Sequence, residues 1–553
     1  MDRSEKGLCF ATSCLFHIVV ILLALVLSLV TFPVQGQPGQ EKKTEPALEW
    51  APETKEYKDW KDRVGKGQTK HLDETEGNWF GFIPDRDRSE FKQHGKRKMP
   101  PDRLQISVFP SRYDSRDYGK VVPVRNQGSC GSCWAFAGWG CLEVNSAPTY
   151  WYDLSENHLK NTLGAGCCTG GNYNVFEPYL ASLTGPVWES DDPYSASWCN
   201  LLEIPPRRSI RDTLYIPDRD MEAIKATVIE QGSVYSCVMY SSVYMANPYY
   251  YYSGTGYANH AIVIVGWDDG IPVTAFKTPP PGPGAWLVRN SWGAAWGMQG
   301  YFYVSYYDAR IGTYNWSGTL VPEEPYGSCY TYAPGKIGLH AGLKSETVDL
   351  GMRYPLADSD EILAYGFYAE ADNVTYTVSL YRNPPAGRPD SNELLIEESG
   401  VFELAGFHAR DFSVPVALSG GDVLGMTVRI NVPGEIYIIP LEFFNVATAN
   451  PGETFYKLPI STTWRDAYNA ASSGDSRPSV ALYAYGKNPH LPTPTPSPSP
   501  WPSPTPWPSP TEPPQPTAWP EPTAWPSPTP PPTATLAPLE TLVIEGRDLE
   551  VRP

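Results

Sequence analysis

A cysteine that ends a glycine-containing loop and opens an apolar segment is well placed for nucleophilic chemistry. Cys133 closes the sequence Gln127-Gly-Ser-Cys-Gly-Ser-Cys and begins the run CWAFAGWGCLEV. The run is apolar nearly all round, which predicts a buried helix over 133–144. The positive end of a helix stabilises a thiolate at its first residue, and a thiolate can attack an amide carbonyl. The backbone N–H of Cys133 and the side-chain amide of Gln127 could then hold the oxyanion, although a glutamine before a glycine loop is also common on surfaces.

A base for this thiol must come from elsewhere in the chain. His260 is the best candidate among eight histidines because it opens a strongly apolar strand, NHAIVIVGWD, at the rim of a core. Asn290 ends the next strand and could orient the imidazole, while Trp292 could shield their hydrogen bond. A Pro/Gly-rich turn at 278–284 would bring the two strands together. The alternatives are a structural buried histidine and an asparagine that caps a turn.

The elements around these residues predict an α+β domain, with helices first and strands second. A second helix is expected over Met221–Gln231, capped by Asp220 and ended by Gly232. The expected strands are Ser233–Tyr240, His260–Trp267, Ala285–Asn290 and Tyr301–Tyr306.

Three segments, QGSCGSCWAF at 127–136, NHAIVIVGW at 259–267 and RNSWGAAWG at 289–297, resemble the signature segments of papain-family cysteine peptidases. The resemblance covers 109–310. It implies a papain-like two-lobed domain that hydrolyses amides through an acyl-enzyme. In these roles Gln127 is the oxyanion donor, Cys133 the nucleophile, His260 the base and acid, and Asn290 the orienting residue.

Shorter segments extend the resemblance. CTGG at 168–171 is similar to the family's CNGG segment, which implies a Cys130–Cys168 disulfide and a Gly170/Gly171 ridge that pairs with an extended substrate. Cys199, after Asp192-Pro-Tyr194, implies a second bridge. Cys167 is its nearest choice, although a position beside Cys168 departs from the usual pattern. The resemblance further suggests that Tyr173, Ala258 and Trp292 contact substrate.

Residues 325–487 predict an all-β domain. Val374–Leu380 alternates apolar and polar residues, and further strands are expected at Glu361–Tyr368, Asp422–Asn431 and Glu435–Leu441. A β-sandwich is the natural architecture. The region resembles the lectin-like sandwich that some bacterial members of the family carry. It could bind a carbohydrate or cell-surface ligand, or it could buttress the peptidase domain.

The N-terminal segment predicts export, and the C-terminal segment predicts a spacer. The apolar run 8–34 within 1–36 is typical of a signal peptide or, given its length, a membrane anchor. Residues 37–108, called the leader below, could be an inhibitory pro-segment removed near Phe109 or a plain linker, and they lack the ERFNIN pattern of many papain-like pro-regions. Residues 491–538 predict a disordered Pro/Ser/Thr-rich spacer, followed by a tail at 539–553.

The composition argues against two classes of function, nucleic acid binding and zinc binding. The 553 residues carry a net charge of −18 and no basic stripe, which argues against a nucleic acid partner. The cysteine and histidine spacing matches no zinc site, and no metal or organic cofactor is implied.

The sequence therefore predicts an exported cysteine endopeptidase, extracellular or at the cell surface, that acts on peptides or proteins. One alternative is a surface adhesion protein with a silent peptidase fold, although the intact Gln127, Cys133, His260 and Asn290 set argues against silence. Another is a peptide ligase or transferase, because amines compete with water for an acyl-enzyme.

Overall fold

The computed structural model describes residues 46–65, 72–73, 78–86, 109–323, 326–335, 337–442, 450–470 and 477–487. The predicted signal or anchor segment, the spacer and the tail lie outside the described residues. Within these ranges no helix is long and apolar enough to cross a bilayer. All of them belong to one unit of the chain, residues 1–493.

The leader contributes four short elements to the described structure. They are strand β1 at Glu49–Trp50, helix α1 at Lys55–Gly65, strand β2 at Leu72–Asp73 and strand β3 at Asn78–Trp79. Strands β2 and β3 pair with each other. The extended segment 80–86 follows β3 directly.

The first domain begins with a helical half. Its elements up to the second long helix are β4 at Arg112–Asp114, α2 at Cys133–Ser146, α3 at Glu156–Asn161, α4 at Tyr173–Ala181, β5 at Ser209–Ile216 and α5 at Met221–Glu230. Every α2 residue from Cys133 to Asn145 is buried, as its apolar sequence predicts. Asp220 caps α5 by accepting the Ala223 N–H at 3.1 Å, which confirms the predicted helix start.

The second half of this domain consists of strands. They are β6 at Val234–Val238, β7 at Met245–Ala246, β8 at Tyr249–Tyr250, β9 at His260–Asp268, β10 at Ala285–Arg289, β11 at Tyr301–Ser305 and β12 at Thr313–Val321. Strands β9 and β10 are antiparallel, with Arg289 opposite Val263. The predicted strands are confirmed with ends that differ by one or two residues.

Only strands and one short helical turn follow in the described part of the second domain. The strands are β13 at Ser328–Tyr330, β14 at Ile337–Gly342, β15 at Thr347–Pro355, β16 at Asp360–Ala369, β17 at Val374–Arg382, β18 at Glu393–Phe402, β19 at Gly406–Leu418, β20 at Val423–Asn431, β21 at Ile439–Glu442, β22 at Thr454–Lys457, β23 at Arg465–Asp466, β24 at Ser479–Val480 and β25 at Leu482–Gly486.

These strands form sheets whose buried side chains belong mainly to one large apolar cluster, in agreement with the predicted all-β domain. One sheet has the order β18-β17-β20-β15-β22-β23, and a smaller one has the order β1-β14-β21-β24. The leader thus supplies an edge strand to this domain. Strands β13, β25, β16 and β19 form a third layer, which continues into the first domain.

The two domains share this continuous sheet through β5 and β19. The pairing is centred on Asp212 and His408. The Phe407 N–H donates to Thr213 Oγ1 at 2.7 Å, and the Tyr215 N–H donates to the carbonyl of Ala405 at 2.9 Å. A Cβ on Gly406 would lie 2.2 Å from the Thr213 carbonyl oxygen, so a glycine is needed for this approach.

Candidate active site

Cys133 is the first residue of α2, and its thiol is fully buried. Two backbone N–H groups donate to its Sγ: that of Gly81 at 3.2 Å and that of Ala261 at 3.4 Å. Because Ala261 follows His260 on β9, the thiol lies next to the predicted base. The helix start and the neighbouring strand thus meet as the sequence predicts.

His260 and Asn290 are hydrogen-bonded, with Nε2 and Oδ1 separated by 2.8 Å. The same Oδ1 accepts the N–H of Ser291, also at 2.8 Å, so the oxygen of the Asn290 amide faces both groups. His260 therefore carries its proton on Nε2 and keeps a lone pair on Nδ1. Nδ1 has no hydrogen-bond partner within the described ranges. The Trp292 ring stacks on the imidazole at 4.8 Å between centroids.

Burial favours the neutral forms of the Cys133 thiol and the His260 imidazole. It raises the pKa of the Cys133 thiol to about 11, against the opposing effect of the Ala261 and Gly81 N–H groups. It lowers the pKa of His260 to about 4. The sequence-based expectation was a thiol pKa lowered by the helix start. The structure differs because both groups are fully buried, with Gly81 against the thiol and Phe80 against the imidazole, and removal from water penalises both charged forms.

Gln127 lies in the loop that leads to the nucleophile and is held at both ends of its side-chain amide. Its Nε2 donates to the Cys130 carbonyl at 3.0 Å, and its Oε1 accepts the Ser291 hydroxyl at 2.6 Å. Tyr194 donates its hydroxyl to the Gln127 carbonyl oxygen at 2.8 Å. The sequence did not single out Ser291 or Tyr194 as supports, because their contacts join segments far apart in the chain.

Two disulfides brace the loops around the site. Cys130 is bonded to Cys168, the pairing that the resemblance implied, and Cys167 is bonded to Cys199. The Cys167–Cys199 disulfide is therefore present, although the position of Cys167 beside Cys168 departs from the usual pattern of the family. The first disulfide ties the loop before Cys133 to the segment that ends in Gly170 and Gly171.

The leader runs through the cleft between these elements. The Gly81 carbonyl accepts the Gly171 N–H at 2.8 Å, and the Ile83 N–H donates to the Gly171 carbonyl at 3.1 Å. Phe82 and Gly171 form a parallel bridge, and the Phe82 N–H donates to the Asn259 carbonyl at 3.2 Å. The predicted ridge is thus already paired, with the leader.

Side chains of the leader fill the space on both sides of the thiol. Phe82 is 2% exposed and packs edge-on against Tyr314 at 4.9 Å, in the same apolar cluster as the predicted substrate-contacting residues Tyr173 and Ala258. On the other side Phe80 contacts the rings of His260 at 5.4 Å and Trp292 at 5.8 Å.

Comparison with known proteins identifies the two domains that follow the leader. Residues 109–316 match the model of the papain family cysteine proteases, and residues 331–486 match that of a lectin-like domain. Mouse (Mus musculus) procathepsin L is 30% identical over 251 residues, which cover 42% of this chain and 72% of that protein. This chain belongs to the papain family of cysteine proteases.

Other relatives cover less of their own length. Fruit bromelain of Ananas comosus is 31% identical over 211 residues, 36% of this chain and 56% of that protein. The chain spans about half to two thirds of the length of the first curated relatives. The lectin-like domain lies outside the 109–316 region that matches the papain-family model.

A solved structure reproduces the two-domain fold. The cysteine protease and lectin-like domains of Cwp84, described as a surface layer associated protein of Clostridium difficile, align with a TM-score of 0.66 at 22% identity, covering 80% of this chain and 99% of that one. The lectin-like assignment of the second domain therefore agrees with both comparisons. The papain-family domain and the lectin-like domain are called so below.

The leader segment at the thiol is the part of the site that sequence reasoning missed. Trp79-Phe80-Gly81-Phe82-Ile83 is a short apolar run in an otherwise polar leader, and this run was the available signal. The family motifs lie within 109–310, so the resemblance could not place residues 80–85.

Proposed function

We propose that this protein is an exported cysteine endopeptidase whose leader keeps it inactive. The observation that carries the proposal is the His260–Asn290 hydrogen bond beside a thiol at a helix start. That arrangement leaves the His260 Nδ1 lone pair available as a base. The alternatives of adhesion and ligation gain no comparable support from a specific contact.

The proposed reaction proceeds through a thioester. Cys133 Sγ attacks the carbonyl carbon of the scissile amide, and its proton passes to His260 Nδ1. The Cys133 N–H and Gln127 Nε2 hold the oxyanion. The imidazolium then protonates the leaving amine, and water hydrolyses the thioester with His260 as base. Asn290 keeps the ring in the required tautomer throughout.

The leader contacts support its role as an inhibitor. At the thiol it presents the Gly81 N–H, which donates to Sγ at 3.2 Å. The sulfur therefore contacts an N–H group of the leader in place of a carbonyl carbon, which supports the view that the leader is held at the site without being cleaved. We propose that residues 37–108 must leave before substrate can enter, with processing near Phe109.

A substrate would take over the leader's contacts in the cleft. Gly170 and Gly171 would pair with its backbone, and Tyr173 and Ala258 would line the pocket that Phe82 now fills. Trp292 would contact the residue beyond the scissile bond, where Phe80 now packs. An apolar or aromatic side chain fits the Phe82 pocket best.

Location and the role of the second domain follow from other observations. The apolar segment 8–34 supports export, either as a cleaved signal or as an anchor, and Cwp84 offers a surface-associated precedent for this domain pair. We propose an extracellular or cell-surface protein whose lectin-like domain binds a carbohydrate or other surface ligand.

The test is labelling and cleavage with purified full chain after its leader has been removed by limited proteolysis. A thiol-reactive peptidyl probe should label the protein once, and peptide-library cleavage should accompany labelling. Cys133→Ala should abolish both. Cys329→Ser is the matched control, because this half-buried thiol lies in the lectin-like domain.

Labelling and cleavage that persist in Cys133→Ala would refute the assignment. A protein that folds, loses its leader and neither reacts with the probe nor cleaves any peptide would favour the adhesion alternative. Product analysis with an added amine separates hydrolysis from ligation.

A further inference from the structure

A buried carboxylate of the leader lies in a pocket made by the papain-family domain. Asp85 is 2% exposed. Its Oδ1 accepts hydrogen bonds from Nδ2 of Asn172 at 2.7 Å and of Asn174 at 3.0 Å. Its Oδ2 accepts the hydroxyl of Tyr173. The three donor residues are called the carboxylate pocket below.

The carboxylate pocket is held by the domain itself. Asn172 is the N-cap of α4, and its Oδ1 accepts the Asn174 N–H at 3.1 Å, which turns its Nδ2 toward Asp85. The three residues are at most 7% exposed. The first turn of α4 contains no acidic residue of its own. The positive end of the helix can therefore stabilise the carboxylate of Asp85.

The position of the carboxylate pocket relates it to substrate. Asn172 directly follows the Gly170–Gly171 ridge, and its Nδ2 also donates to the Ile83 carbonyl at 2.9 Å. Phe82, three residues before Asp85, occupies the neighbouring apolar pocket. The carboxylate pocket therefore lies on the acyl side of the scissile bond, where the residues N-terminal to that bond bind.

We infer that, once the leader has left, the carboxylate pocket binds an acidic side chain of the substrate on the acyl side. This inference rests on the proposed peptidase function. The pocket recognises a side chain, so it can serve a substrate whose backbone runs opposite to the leader. A buried donor left without an acceptor is costly, which favours substrates that refill the pocket.

The hydrogen-bond donors of the carboxylate pocket favour a substrate carboxylate over a substrate amide. Asn172, Tyr173 and Asn174 offer three donors to Asp85. A substrate asparagine or glutamine would turn an NH₂ group toward at least one of them. The net charge of −18 would repel acidic peptides in general, so a preference for them must come from a local site.

The first experiment measures specificity in the full chain after limited proteolysis of the leader. Peptides with a fixed apolar residue for the Phe82 pocket carry Asp, Glu, Asn, Gln or Ala at each neighbouring acyl-side position. At one position kcat/KM for Asp or Glu should exceed that for Asn, Gln or Ala at least tenfold. In Asn174→Ala this ratio should fall about tenfold, and in Thr169→Val, an exposed change on the same segment, it should not.

The outcomes separate the two proposals. Cleavage of all peptides without an acid preference overturns the carboxylate pocket and leaves the peptidase function standing. A ratio that is unchanged in Asn174→Ala also overturns it. Cleavage of none of the peptides overturns the peptidase function.

The second experiment tests the carboxylate pocket without catalysis, in the intact chain. Asp85→Asn should raise the rate of Cys133 alkylation by iodoacetamide at least tenfold, because the amide weakens the leader's hold on the cleft. Asp62→Asn makes the same change at an exposed leader position and should leave the rate unaltered. Equal rates for Asp85→Asn and wild type would show that the pocket does not prefer a carboxylate, and would overturn the inference.

Discussion

At the scale of single residues, burial sets the charge state of the candidate catalytic pair, Cys133 and His260. Cys133 and His260 are both removed from water, and the rings of Phe80 and Trp292 cover the imidazole. The thiol is then protonated and the imidazole neutral over the physiological range. The proposed reaction passes the thiol proton to the imidazole, and burial disfavours the charged pair that this transfer creates, so covering the site suppresses the nucleophile as well as access to it.

The pKa shifts predict how the leader's hold depends on pH. The pKa of His260 is lowered from 6.5 to about 4, so this contribution to the covered state is complete above pH 6.5 and is lost as pH falls toward 4. The pKa of Cys133 is raised from 9.0 to about 11, so its contribution is complete below pH 9 and is lost as pH rises toward 11.

Alkylation of Cys133 by iodoacetamide in the intact chain should therefore stay slow up to about pH 9 and rise steeply as the pH approaches 11, where the thiol ionises. Mass spectrometry of the Cys133 peptide gives the rate, and buried Cys141 and Cys237 serve as internal controls. Leader-free protein should react fast across the neutral range. Identical pH profiles for the two forms would contradict the prediction.

Sequence reasoning identified the residues of the site better than their supports. Cys133, His260 and Asn290 could be predicted because each lies in a long motif at an element boundary. The contacts of Ser291 and Tyr194 with Gln127 could not, because they depend on how separate loops approach each other. Asp85 was missed for the same reason, since its partners lie 87 to 89 positions away.

At the scale of elements, the segment 80–85 depends on close backbone approach. A Cβ on Gly81 would lie 1.8 Å from the carbonyl oxygen of Gly131. Gly170, with φ of +118°, would place its own Cβ 2.6 Å from the Gly81 carbonyl oxygen. Glycines on both sides of the contact therefore let the leader lie flat over the thiol.

Gly81→Ala should displace the leader from the cleft, because backbone atoms of Gly131 cannot give way. We expect alkylation of Cys133 at pH 7 to rise at least tenfold in the uncut chain. Gly166→Ala is the control, since its Cβ would meet only the Thr169 hydroxyl at 3.3 Å, a side-chain atom that can move. A rate for Gly81→Ala equal to that of wild type would show that the leader does not restrict the thiol.

Local patterns located most of the elements. The apolar run predicted α2, the cap predicted the start of α5, and alternation predicted β17 within two residues of its end. Strand β21 begins at Ile439 and not at Glu435, because Pro433-Gly434 starts a longer turn than the sequence suggests. The order of strands in the sheets could not be predicted. The strands have similar patterns of apolar and polar residues, so the patterns do not show which strands pair with each other.

At the scale of the whole molecule, the two domains are joined through buried polar contacts. The Thr213 hydroxyl accepts the Phe407 N–H and donates to Glu177 at 2.6 Å. Glu177 is 1% exposed and also accepts from Trp316 Nε1 at 2.6 Å. The papain-family domain thus contributes a strand edge and a buried carboxylate at the junction with the lectin-like domain.

Thr213→Val should lower the free energy of unfolding by about 1–3 kcal/mol, because the Phe407 N–H loses its acceptor inside the junction. Denaturant unfolding followed by tryptophan fluorescence measures the change. Thr319→Val places the same substitution at an exposed position of β12 and should shift the midpoint little. Equal midpoint shifts for the two variants would show that the hydrogen bond from the Phe407 N–H to Thr213 contributes no particular stability to the junction.

The leader contributes strand β1 to the lectin-like domain, so the removal proposed for the leader would also affect that domain. Glu49 and Trp50 of β1 pair with Gly342 and Ala341 of β14 at the border of the small sheet. If residues 37–108 are removed as proposed, β14 becomes the edge of the small sheet, and its backbone groups that pair with β1 lose their partners. An unpaired edge of this kind can accept a further strand. The proposed removal of the leader would then change the lectin-like domain as well as uncover Cys133.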